Sequence, residues 1–329
     1  MYQGFWGKLK KPFFVLAPMA DVTDPAFRRI ITTYGKPDVT WTEFVSADGL
    51  FLADKEGQEK IKRDLEYSEA ERPIVAQFFT SDPEMMKKAA KYAVECGFDG
   101  FDINMGCPDK SIEKQKAGAA LMKNPQLAQE LIRAAKDGVM ESGKDIPVSV
   151  KTRIGYNKNE LEEWLPILLE AEPVALTLHA RTRKQMSKVP ADWSHIKRAV
   201  EIRDQLKSET FILGNGDALD LEDAQKKVDE TGCDGVMLGR AIFGNPWLFD
   251  NNKKEVSITE RLTVLVEHTK LYEKLLGDVK SFNVMKKHYK AYVSGWDGAK
   301  ELRIKLMNAR DAGEVEGIVH SYLENSSVV

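Results

Sequence analysis

The chain has 329 residues, 43% of them hydrophobic and 30% charged, and its formal net charge is −3. This composition is typical of a globular protein with a large core and excludes a disordered chain. No apolar run approaches the ~20 residues that a membrane span needs, and the N-terminal stretch lacks the features of a secretion signal. The three cysteines lie far apart, which argues against a disulfide framework or a zinc knuckle and is typical of a reducing cytoplasm. We therefore expect a cytoplasmic protein without membrane contact or bound metal.

Eight short apolar runs predict β-strands, because each run is nearly continuous in hydrophobic residues and is followed by turn residues. The predicted strands are Phe13–Met19, Val39–Phe44, Ile74–Phe79, Gly100–Met105, Val148–Arg153, Ala175–Ala180, Thr210–Gly214 and Gly235–Gly239. Residues 45–72 form a long charged connection after the second strand, for which we predict an inserted helix.

Helix-start signals lie between the strands. Asp24-Pro25, Asp82-Pro83 and Asn124-Pro125 each pair an N-cap residue with proline at the first helical position, and Asp220 precedes an acidic first turn. Strand–helix alternation repeated eight times over roughly 250 residues predicts a TIM (β/α)8 barrel. The alternative is a doubly wound open sheet, which would normally carry a glycine-rich fingerprint after its first strand. That turn reads Ala17-Pro18-Met19-Ala20-Asp21 here, which favours the barrel.

The pattern changes after Phe249. The segment 250–254 is polar and linker-like, and only helical periodicity follows it. We assign residues 1–250 to the barrel and predict a small C-terminal helical-bundle domain at 256–325. Between Val279 and Arg310, eight Lys and Arg residues stand against two acidic residues, which predicts a local basic face in a chain that is acidic overall.

Polar residues stand at the carboxyl end of almost every predicted strand, where TIM barrels carry their active sites. They are Gln77, Asn104, Lys151, Arg153, His179, Arg181, Asn215, Asp217 and Arg240. The Asn215-Gly216 pair alone is a good hairpin turn, but a helix start follows it and favours a phosphate site completed by Gly239 and Arg240.

Two further rim residues have both a structural and a functional interpretation. Lys151 lies within a predicted barrel strand, where a buried lysine is costly without an anionic partner. His179 by itself is compatible with a core histidine, and its neighbours Arg181 and Arg183 favour a role facing an anion.

Cys107 follows the fourth strand, between Gly106 and Pro108. A free cysteine is usually a small buried hydrophobe, which is the interpretation for Cys96 and Cys233. An unperturbed thiol has a pKa of about 8.5 and can donate a proton near neutral pH, whereas a nucleophile needs a thiolate and an activating base. No histidine neighbours Cys107 in sequence, so both roles remain open at this point.

Together these motifs resemble the dihydrouridine synthase family. The segment Ala17-Pro18-Met19-Ala20-Asp21-Val22-Thr23-Asp24, with Phe27-Arg28, is similar to the family's first flavin loop. Asn104-x-Gly106-Cys107-Pro108 and the later Gly118-Ala119-Ala120-Leu121-Met122 are similar to its catalytic loop. Lys151-Thr152-Arg153-Ile154-Gly155, His179-Ala180-Arg181-Thr182-Arg183, Asn215-Gly216-Asp217 and Gly239-Arg240 follow in the family's order. Two positions depart from the family: Asp109 stands where Ser or Thr is frequent, and Ala180 where Gly is frequent.

The resemblance implies an FMN-dependent enzyme that uses NADPH to reduce the C5–C6 double bond of uridines in tRNA. Cys107 would be the acid that protonates C5. Residues expected around the FMN are Pro18, Met19, Ala20, Gln77, Lys151, His179, Asn215, Gly216, Asp217, Gly239 and Arg240. Residues expected to contact the tRNA are Asn104, Arg181, Arg183, Lys286 and Lys287. The helical domain would hold the tRNA by charge and shape, and we expect a monomer.

Two alternative functions remain open from the sequence. The first is an FMN-dependent barrel oxidoreductase acting on a small-molecule enone or pyrimidine, which would not need the basic tail. The second is a flavin-free RNA-binding protein of the same fold, which would not need Lys151, His179 and Cys107 together.

Overall fold

Eight parallel strands form the centre of the molecule in a computed structural model that describes residues 2–253 and 255–325. Neighbouring strands pair in the order β1-β8-β7-β6-β5-β4-β3-β2. Between the two ends of this order, the Leu16 amide donates to Val39 O (3.2 Å) and the Asp38 amide to Phe14 O (3.0 Å). The sheet therefore curls round until β1 meets the start of β2, and the predicted TIM barrel is confirmed.

The observed strands agree with the predicted ones apart from their ends. They are β1 (Phe13–Leu16), β2 (Thr40–Ser46), β3 (Ile74–Phe79), β4 (Gly100–Asn104), β5 (Val148–Arg153), β6 (Ala175–His179), β7 (Phe211–Asn215) and β8 (Gly235–Leu238). The main difference is in β1, which ends at Leu16 and not at Met19. The Ala17 amide still donates to Leu238 O of β8 (2.8 Å), and Ala17, Pro18 and Met19 face the open end of the barrel.

Helices cover the outside of the barrel and build the C-terminal part. They are α1 (Pro25–Tyr34), α2 (Ala47–Leu52), α3 (Lys55–Asp64), α4 (Pro83–Glu95), α5 (Lys110–Lys114), α6 (Pro125–Glu141), α7 (Leu161–Glu170), α8 (Ser194–Gln205), α9 (Leu221–Thr231), α10 (Ile258–Leu276), α11 (Met285–Tyr292), α12 (Ala299–Asn308) and α13 (Ala312–Asn325). The insertion after β2 holds two helices, α2 and α3, where one was predicted.

The three predicted N-caps are confirmed, and Asp220 caps the fourth helix start that was predicted. The carboxylates of Asp24, Asp82 and Asp220 and the amide oxygen of Asn124 each accept a hydrogen bond from a backbone amide of the first turn. These side chains satisfy donors that a helix start leaves without an intrahelical partner.

An aromatic cluster closes the N-terminal end of the barrel. Trp6, in a short 3₁₀ turn at Gly4–Lys8, is 1% exposed and packs against Phe13, Trp41 and Phe211 with ring centroids 5.2 to 6.2 Å apart. Because this end is filled by side chains, the cavity that remains open lies at the opposite, carboxyl end of the strands.

The C-terminal helices pack on the barrel through α10 and α1. Leu262, Leu265, Thr269 and Tyr272 are buried along α10, as the helical periodicity predicts. The apolar side chains of this part join those around α1 in one continuous hydrophobic cluster. The boundary at residue 250 remains a prediction, and Lys254 of the predicted linker lies outside the described residues.

Within the described part of the chain, no helix combines the length and the hydropathy that crossing a bilayer requires.

Candidate active site

A cavity of about 230 Å³ opens at the carboxyl ends of the strands. It is lined by Ala17, Pro18, Met19, Lys151, His179, Arg181, Ser187, Asn215, Gly216, Asp217, Ala218, Met237, Gly239 and Arg240. A larger surface cavity of about 680 Å³ lies among Pro166, Glu170, Lys207 and Ser208, close to the segments that enter β6 and β7. That position is the N-terminal end of the barrel, away from the rim where barrel active sites lie, so we assign the site to the smaller cavity.

One side of the cavity is built around Asp217. This residue has a φ of 55°, and its carboxylate accepts hydrogen bonds from the guanidinium groups of Arg181 and Arg240 and from the Ala191 amide. Burial raises the pKa of Asp217, but the hydrogen bonds from Arg181 and the Ala191 amide, together with the charges of Arg181 and Arg240, outweigh it, and the net shift is downward. The carboxylate is therefore ionised at neutral pH and orients two arginines at the cavity wall.

Gly216 brings the backbone close to this wall. Its φ is 127°, a conformation that other residues rarely adopt, and an added Cβ would lie 2.8 Å from Ala191 Cβ and 3.2 Å from His179 Cδ2. At Gly239, an added Cβ would meet only Ala17 and Met19, at 3.6 and 3.7 Å. The two glycines leave room where their loops face the cavity.

His179 lies at the end of β6 among cations. Its Nε2 is 3.1 Å from Nη1 of Arg181. Burial lowers the pKa of His179 well below its ordinary value, and the charges of Arg153 and Lys151 lower it further. The imidazole is therefore neutral at physiological pH, with one nitrogen able to accept a hydrogen bond and the other able to donate one.

Lys151 projects from β5 into the cavity. Its Nζ donates to Asn215 Oδ1 at 3.3 Å, and the Asn215 amide group in turn donates to Met237 O at 2.7 Å. Burial lowers the pKa of Lys151 to about 8, with a further contribution from Arg153. Lys151 is partly buried, and among residues 2–253 and 255–325 no carboxylate lies within salt-bridge distance of its Nζ; the charge of Asp102 acts on it only from farther away.

A ladder of polar side chains runs across the barrel interior below Cys107. Gln77 Nε2 donates to Asp102 Oδ2 at 2.5 Å, and Ser149 donates to the other carboxylate oxygen. Gln77 Oε1 accepts from Asn104 Nδ2 at 3.0 Å. Burial raises the pKa of Asp102 to about 6.

The ladder ends at the loop that carries Cys107. Asn104 Oδ1 accepts hydrogen bonds from the amides of Gly106 (3.1 Å) and Cys107 (2.9 Å). Arg153 Nε donates to Gly106 O at 2.7 Å, and Cys107 O accepts from the Ala119 amide at 2.9 Å. The two segments predicted to form one catalytic loop are therefore in contact, and Cys107 is held from both sides.

The Cys107 thiol is partly buried. Burial raises its pKa above the ordinary value, and the positive charges of Arg153 and Lys151 only partly oppose this shift. The thiol is therefore protonated at neutral pH. No histidine imidazole hydrogen-bonds to it within the described residues, which favours the proton-donor role that the sequence left open.

Asp109 has a local structural role. Its carboxylate accepts from the Ser111 amide (2.7 Å) and hydroxyl (2.5 Å) at the start of the short helix α5. These hydrogen bonds explain the acidic residue at this position, because Asp caps a helix start as Ser or Thr does.

Most residues predicted around the cofactor line the cavity, but two do not. Ala20 is exposed beside it, and Gln77 is fully buried in the ladder. Their contacts with a cofactor remain predictions.

The residues predicted to contact substrate are spread more widely. Asn104 is 5% exposed, and its side-chain amide is already hydrogen-bonded to Gln77 and to the Cys107 loop. Arg181 is 2% exposed and lines the cavity. Arg183 pairs with Glu113, with Nε 2.7 Å from Oε1. Lys286 and Lys287 lie on α11, and Lys287 Nζ is 3.8 Å from Asp21 Oδ2 at the barrel rim.

The sequence-based prediction of the site missed the polar residues Asp102 and Ser187 and the apolar lining residues Ala17, Ala218 and Met237. Asp102 is a carboxylate inside an otherwise apolar strand, a signal that marks a buried partner for another polar group. Ser187 lies in an irregular loop and carries no such signal.

The comparisons with known proteins agree with this geometry. Residues 15–326 match the family model described as dihydrouridine synthase. The chain is 38% identical to the probable tRNA-dihydrouridine synthase 2 of Bacillus subtilis strain 168, over 98% of this chain and 97% of that protein. It is 37% identical to the probable tRNA-dihydrouridine synthase of Staphylococcus aureus strain MRSA252, over 98% and 96%.

Among solved structures, the chain is similar in fold to histamine dehydrogenase from Rhizobium sp. 4-9. The TM-score is 0.54 at 13% identity, over 78% of this chain and 48% of that one. At this identity the likeness concerns the barrel fold alone.

Proposed function

The chain belongs to the dihydrouridine synthase family, and from that premise we propose that it reduces uridines in tRNA with FMN held in the rim cavity and NADPH as the reductant. The observation that carries this proposal is the partly buried Lys151, which faces the cavity with no carboxylate of the described residues within salt-bridge distance. A buried cation is stable only when an anion or strong acceptors meet it, and a flavin supplies both a phosphate and ring carbonyl oxygens.

The residues of the cavity fit the two ends of FMN. Gly216, Gly239, Arg181 and Arg240 form a wall with close backbone approach and positive charge, which is suited to the phosphate. Lys151 and the neutral His179 lie deeper and are suited to the polar edge of the ring. Pro18 and Met19 supply apolar surface on the remaining side.

Bound FMN would supply the hydride that adds to C6 of the uridine. Lys151 would stabilise negative charge at the ring edge, since it is preorganised there by Asn215 at 3.3 Å. Cys107 would donate its proton to C5, because its raised pKa keeps the thiol neutral until the transfer. Asn104 and Arg153 would hold the Cys107 loop in place through the Gly106 and Cys107 backbone.

We place the tRNA along the open rim and the C-terminal helices. A shallow surface of Lys290, Lys300 and Arg303 with the exposed apolar residues Ile304 and Met307 lies on α11 and α12. Such cationic surfaces bind nucleic acid backbone, and the target uridine must leave its stack to reach the cavity. Lys286, Lys287 and Arg183 would contribute positive charge between this surface and the cavity.

The experiment combines a cofactor test with a product test. The purified protein is expected to show a flavin absorption spectrum, and tRNA from cells lacking the gene is expected to lose dihydrouridine at one or more positions. In vitro, Cys107→Ala should abolish dihydrouridine formation from unmodified tRNA while it retains FMN, and Cys96→Ala, at an exposed cysteine, is the matched control. A wild-type protein that does not bind FMN, or a Cys107→Ala variant with wild-type activity, would contradict the proposal.

The same activity assay distinguishes tRNA from a small molecule as the substrate. If free uridine or an enone is reduced efficiently and loss of the C-terminal basic residues changes nothing, the substrate is not tRNA.

A further inference from the structure

One buried carboxylate connects the barrel rim to the C-terminal helices. We use the name rim loop for residues 18–21, which line or flank the cavity. Glu43, in β2, accepts a hydrogen bond from the Asp21 amide through Oε1. Through Oε2, Glu43 accepts from Lys280 Nζ at 3.0 Å, and Lys280 lies in the turn after α10. The rim loop and the C-terminal helices therefore share one carboxylate as their common partner.

Glu43 is buried, and Lys280 is partly buried and held by a second carboxylate. Glu43 is 4% exposed, and Lys280 also pairs with Asp64 of α3 at 2.6 Å. The carboxylate of Asp24, fully buried, adds a further negative charge nearby. Because a buried charge is costly unless it is paired, each of these groups depends on the others for its position. Lys280 was counted from sequence in the local basic face, but its charge is compensated by Glu43 and Asp64 and it adds no free positive charge there.

The rim loop needs such a support because of its backbone. Asp21 has a φ of 52°, in the left-handed region that residues other than glycine rarely adopt. Hydrogen bonds from the Val22 and Thr23 amides to Met19 O, and from the Met19 amide to Thr23 Oγ1, close the turn on its other side. Lys287 of α11 approaches the Asp21 carboxylate at 3.8 Å, a second contact between the loop and the C-terminal helices.

We propose that Glu43 is a positioning residue through which the docked C-terminal helices, by way of Lys280, hold the rim loop in the shape that binds FMN. This inference rests on the proposed function for its ligand. It goes beyond that function in connecting the C-terminal helices, where we place the tRNA, to the cofactor cavity through the hydrogen bonds of Glu43. In this connection the Glu43 carboxylate accepts hydrogen bonds from two donors, the Asp21 amide and Lys280 Nζ.

Two variants test this connection, one at Glu43 and one at Lys280. In Glu43→Gln, an NH2 group replaces one of the two carboxylate oxygens, and because the Asp21 amide and Lys280 meet different oxygens, one of these donors would face another donor. Its Lys280–Asp64 pair remains and keeps the C-terminal helices docked. In Lys280→Met the cation is lost and Glu43 has only the rim loop as a partner. Lys280→Arg restores the charge and is expected to recover most of the loss.

The first measurement is FMN affinity, by fluorescence titration of the cofactor-free protein. We expect both Glu43→Gln and Lys280→Met to weaken FMN binding about tenfold, since each removes a hydrogen bond to a charged group. The matched control is Lys270→Met, which removes the exposed Lys270–Glu316 pair (2.6 Å) of the same C-terminal helices and should leave FMN affinity unchanged.

The second measurement needs no cofactor. Amide hydrogen exchange of the FMN-free protein is expected to be faster at Asp21 in both variants, while protection along α10 stays at the wild-type level. If Lys280→Met also loses protection in α10, the role of Glu43 is judged from Glu43→Gln alone, because that variant keeps the Lys280–Asp64 pair.

The outcomes separate the role of Glu43 from the proposed function. Wild-type FMN binding together with unchanged affinity in Glu43→Gln would overturn the role of Glu43 and leave the proposed function standing. So would a loss of thermal stability without a change in FMN affinity or in Asp21 exchange. Absence of FMN binding in the wild-type protein would overturn the proposed function itself, and with it the FMN part of this inference.

Discussion

Lys151 Nζ donates to Asn215 Oδ1 at 3.3 Å across the barrel cavity. The two residues are 64 positions apart and come from β5 and β7, which do not pair with each other. This hydrogen bond orients a partly buried ammonium group, and desolvation lowers its pKa to about 8. The lysine is charged below that pH and loses its proton as the pH rises through it.

FMN affinity is therefore expected to depend on pH. Between pH 7 and 9.5, binding should weaken as Lys151 becomes neutral, because the neutral amine no longer attracts the anionic cofactor. Lys151→Met should bind FMN about tenfold or more weakly and lose this pH dependence. Fluorescence titrations over the range measure both effects, and Lys136→Met, near the N-terminal end of β6, is the control. A wild-type affinity that is constant up to pH 9.5 would argue against Lys151 as a contact.

The Cys107 thiol should react slowly with alkylating agents near neutral pH. Burial raises its pKa, so the reactive thiolate is scarce at pH 7 and its fraction grows as the pH rises. Mass spectrometry of iodoacetamide-treated protein, read peptide by peptide from pH 7 to 10, measures the rate. Fast alkylation at pH 7 with little pH dependence would indicate a thiolate, and the proton-donor assignment would be wrong.

Gly216→Ala should damage the cavity. An added Cβ would lie 2.8 Å from Ala191 Cβ, and the φ of 127° disfavours any side chain. We expect a loss of about 1–3 kcal/mol in unfolding free energy and a weaker FMN complex. Gly317→Ala is the control, since nothing lies within 4 Å of its added Cβ in helix α13, and it should be neutral or stabilising. Denaturant unfolding and FMN titration measure these effects in both variants. If Gly216→Ala and Gly317→Ala have the same unfolding free energy and FMN affinity, Gly216 does not shape the cavity.

The packing of the C-terminal helices on α1 should weaken in acid. His268 and His288 are fully buried, their ring centroids are 4.6 Å apart, and both contact Phe27. Neither ring has a hydrogen-bond partner within the described residues. Burial lowers the pKa of both, in His288 to about 3.

Proton linkage determines whether acid raises or lowers the unfolding free energy. Below an unfolded-state pKa of about 6.5 the unfolded chain binds more protons, so each histidine lowers the unfolding free energy by roughly 1.4 kcal/mol per pH unit. Thermal melts at pH 7.5 and 5.5 should show this loss. The double variant His268→Phe, His288→Phe should lose much of this acid sensitivity, and His320→Gln, at an exposed position, should not. An equal acid sensitivity in wild type and double variant would refute the assignment.

The basic surface on α11 and α12 should bind tRNA mainly by charge. A triple variant of Lys290, Lys300 and Arg303 to Gln should weaken tRNA binding and reduce the slope of log affinity against log salt by about one for each phosphate that no longer meets a cation. Its FMN affinity should stay at the wild-type level. Binding curves at several salt concentrations measure the slope, and Lys136→Gln on the barrel serves as the control. An unchanged slope would move the RNA-binding surface elsewhere.

The sequence by itself determined the elements of this protein and the rim on which its site lies. Buried strands appear as apolar runs, and Asp24, Asp82, Asn124 and Asp220 mark helix starts, because both signals arise from contacts within a few residues. The carboxyl ends of parallel strands meet at one face, so Lys151, His179 and Asn215 could be grouped without coordinates.

Only the tertiary structure decided which of these groups pair. The Asp217 carboxylate accepts from both Arg181 and Arg240, and Asp102 accepts from Gln77, which in turn accepts from Asn104. Lys280 pairs with both Glu43 and Asp64. These contacts join residues that lie tens to hundreds of positions apart. Their geometry depends on how strands and helices pack, and packing leaves no local pattern in the sequence. For the same reason, the sequence grouped Lys280 with the basic residues that follow it, whereas the structure pairs it with Glu43 and Asp64.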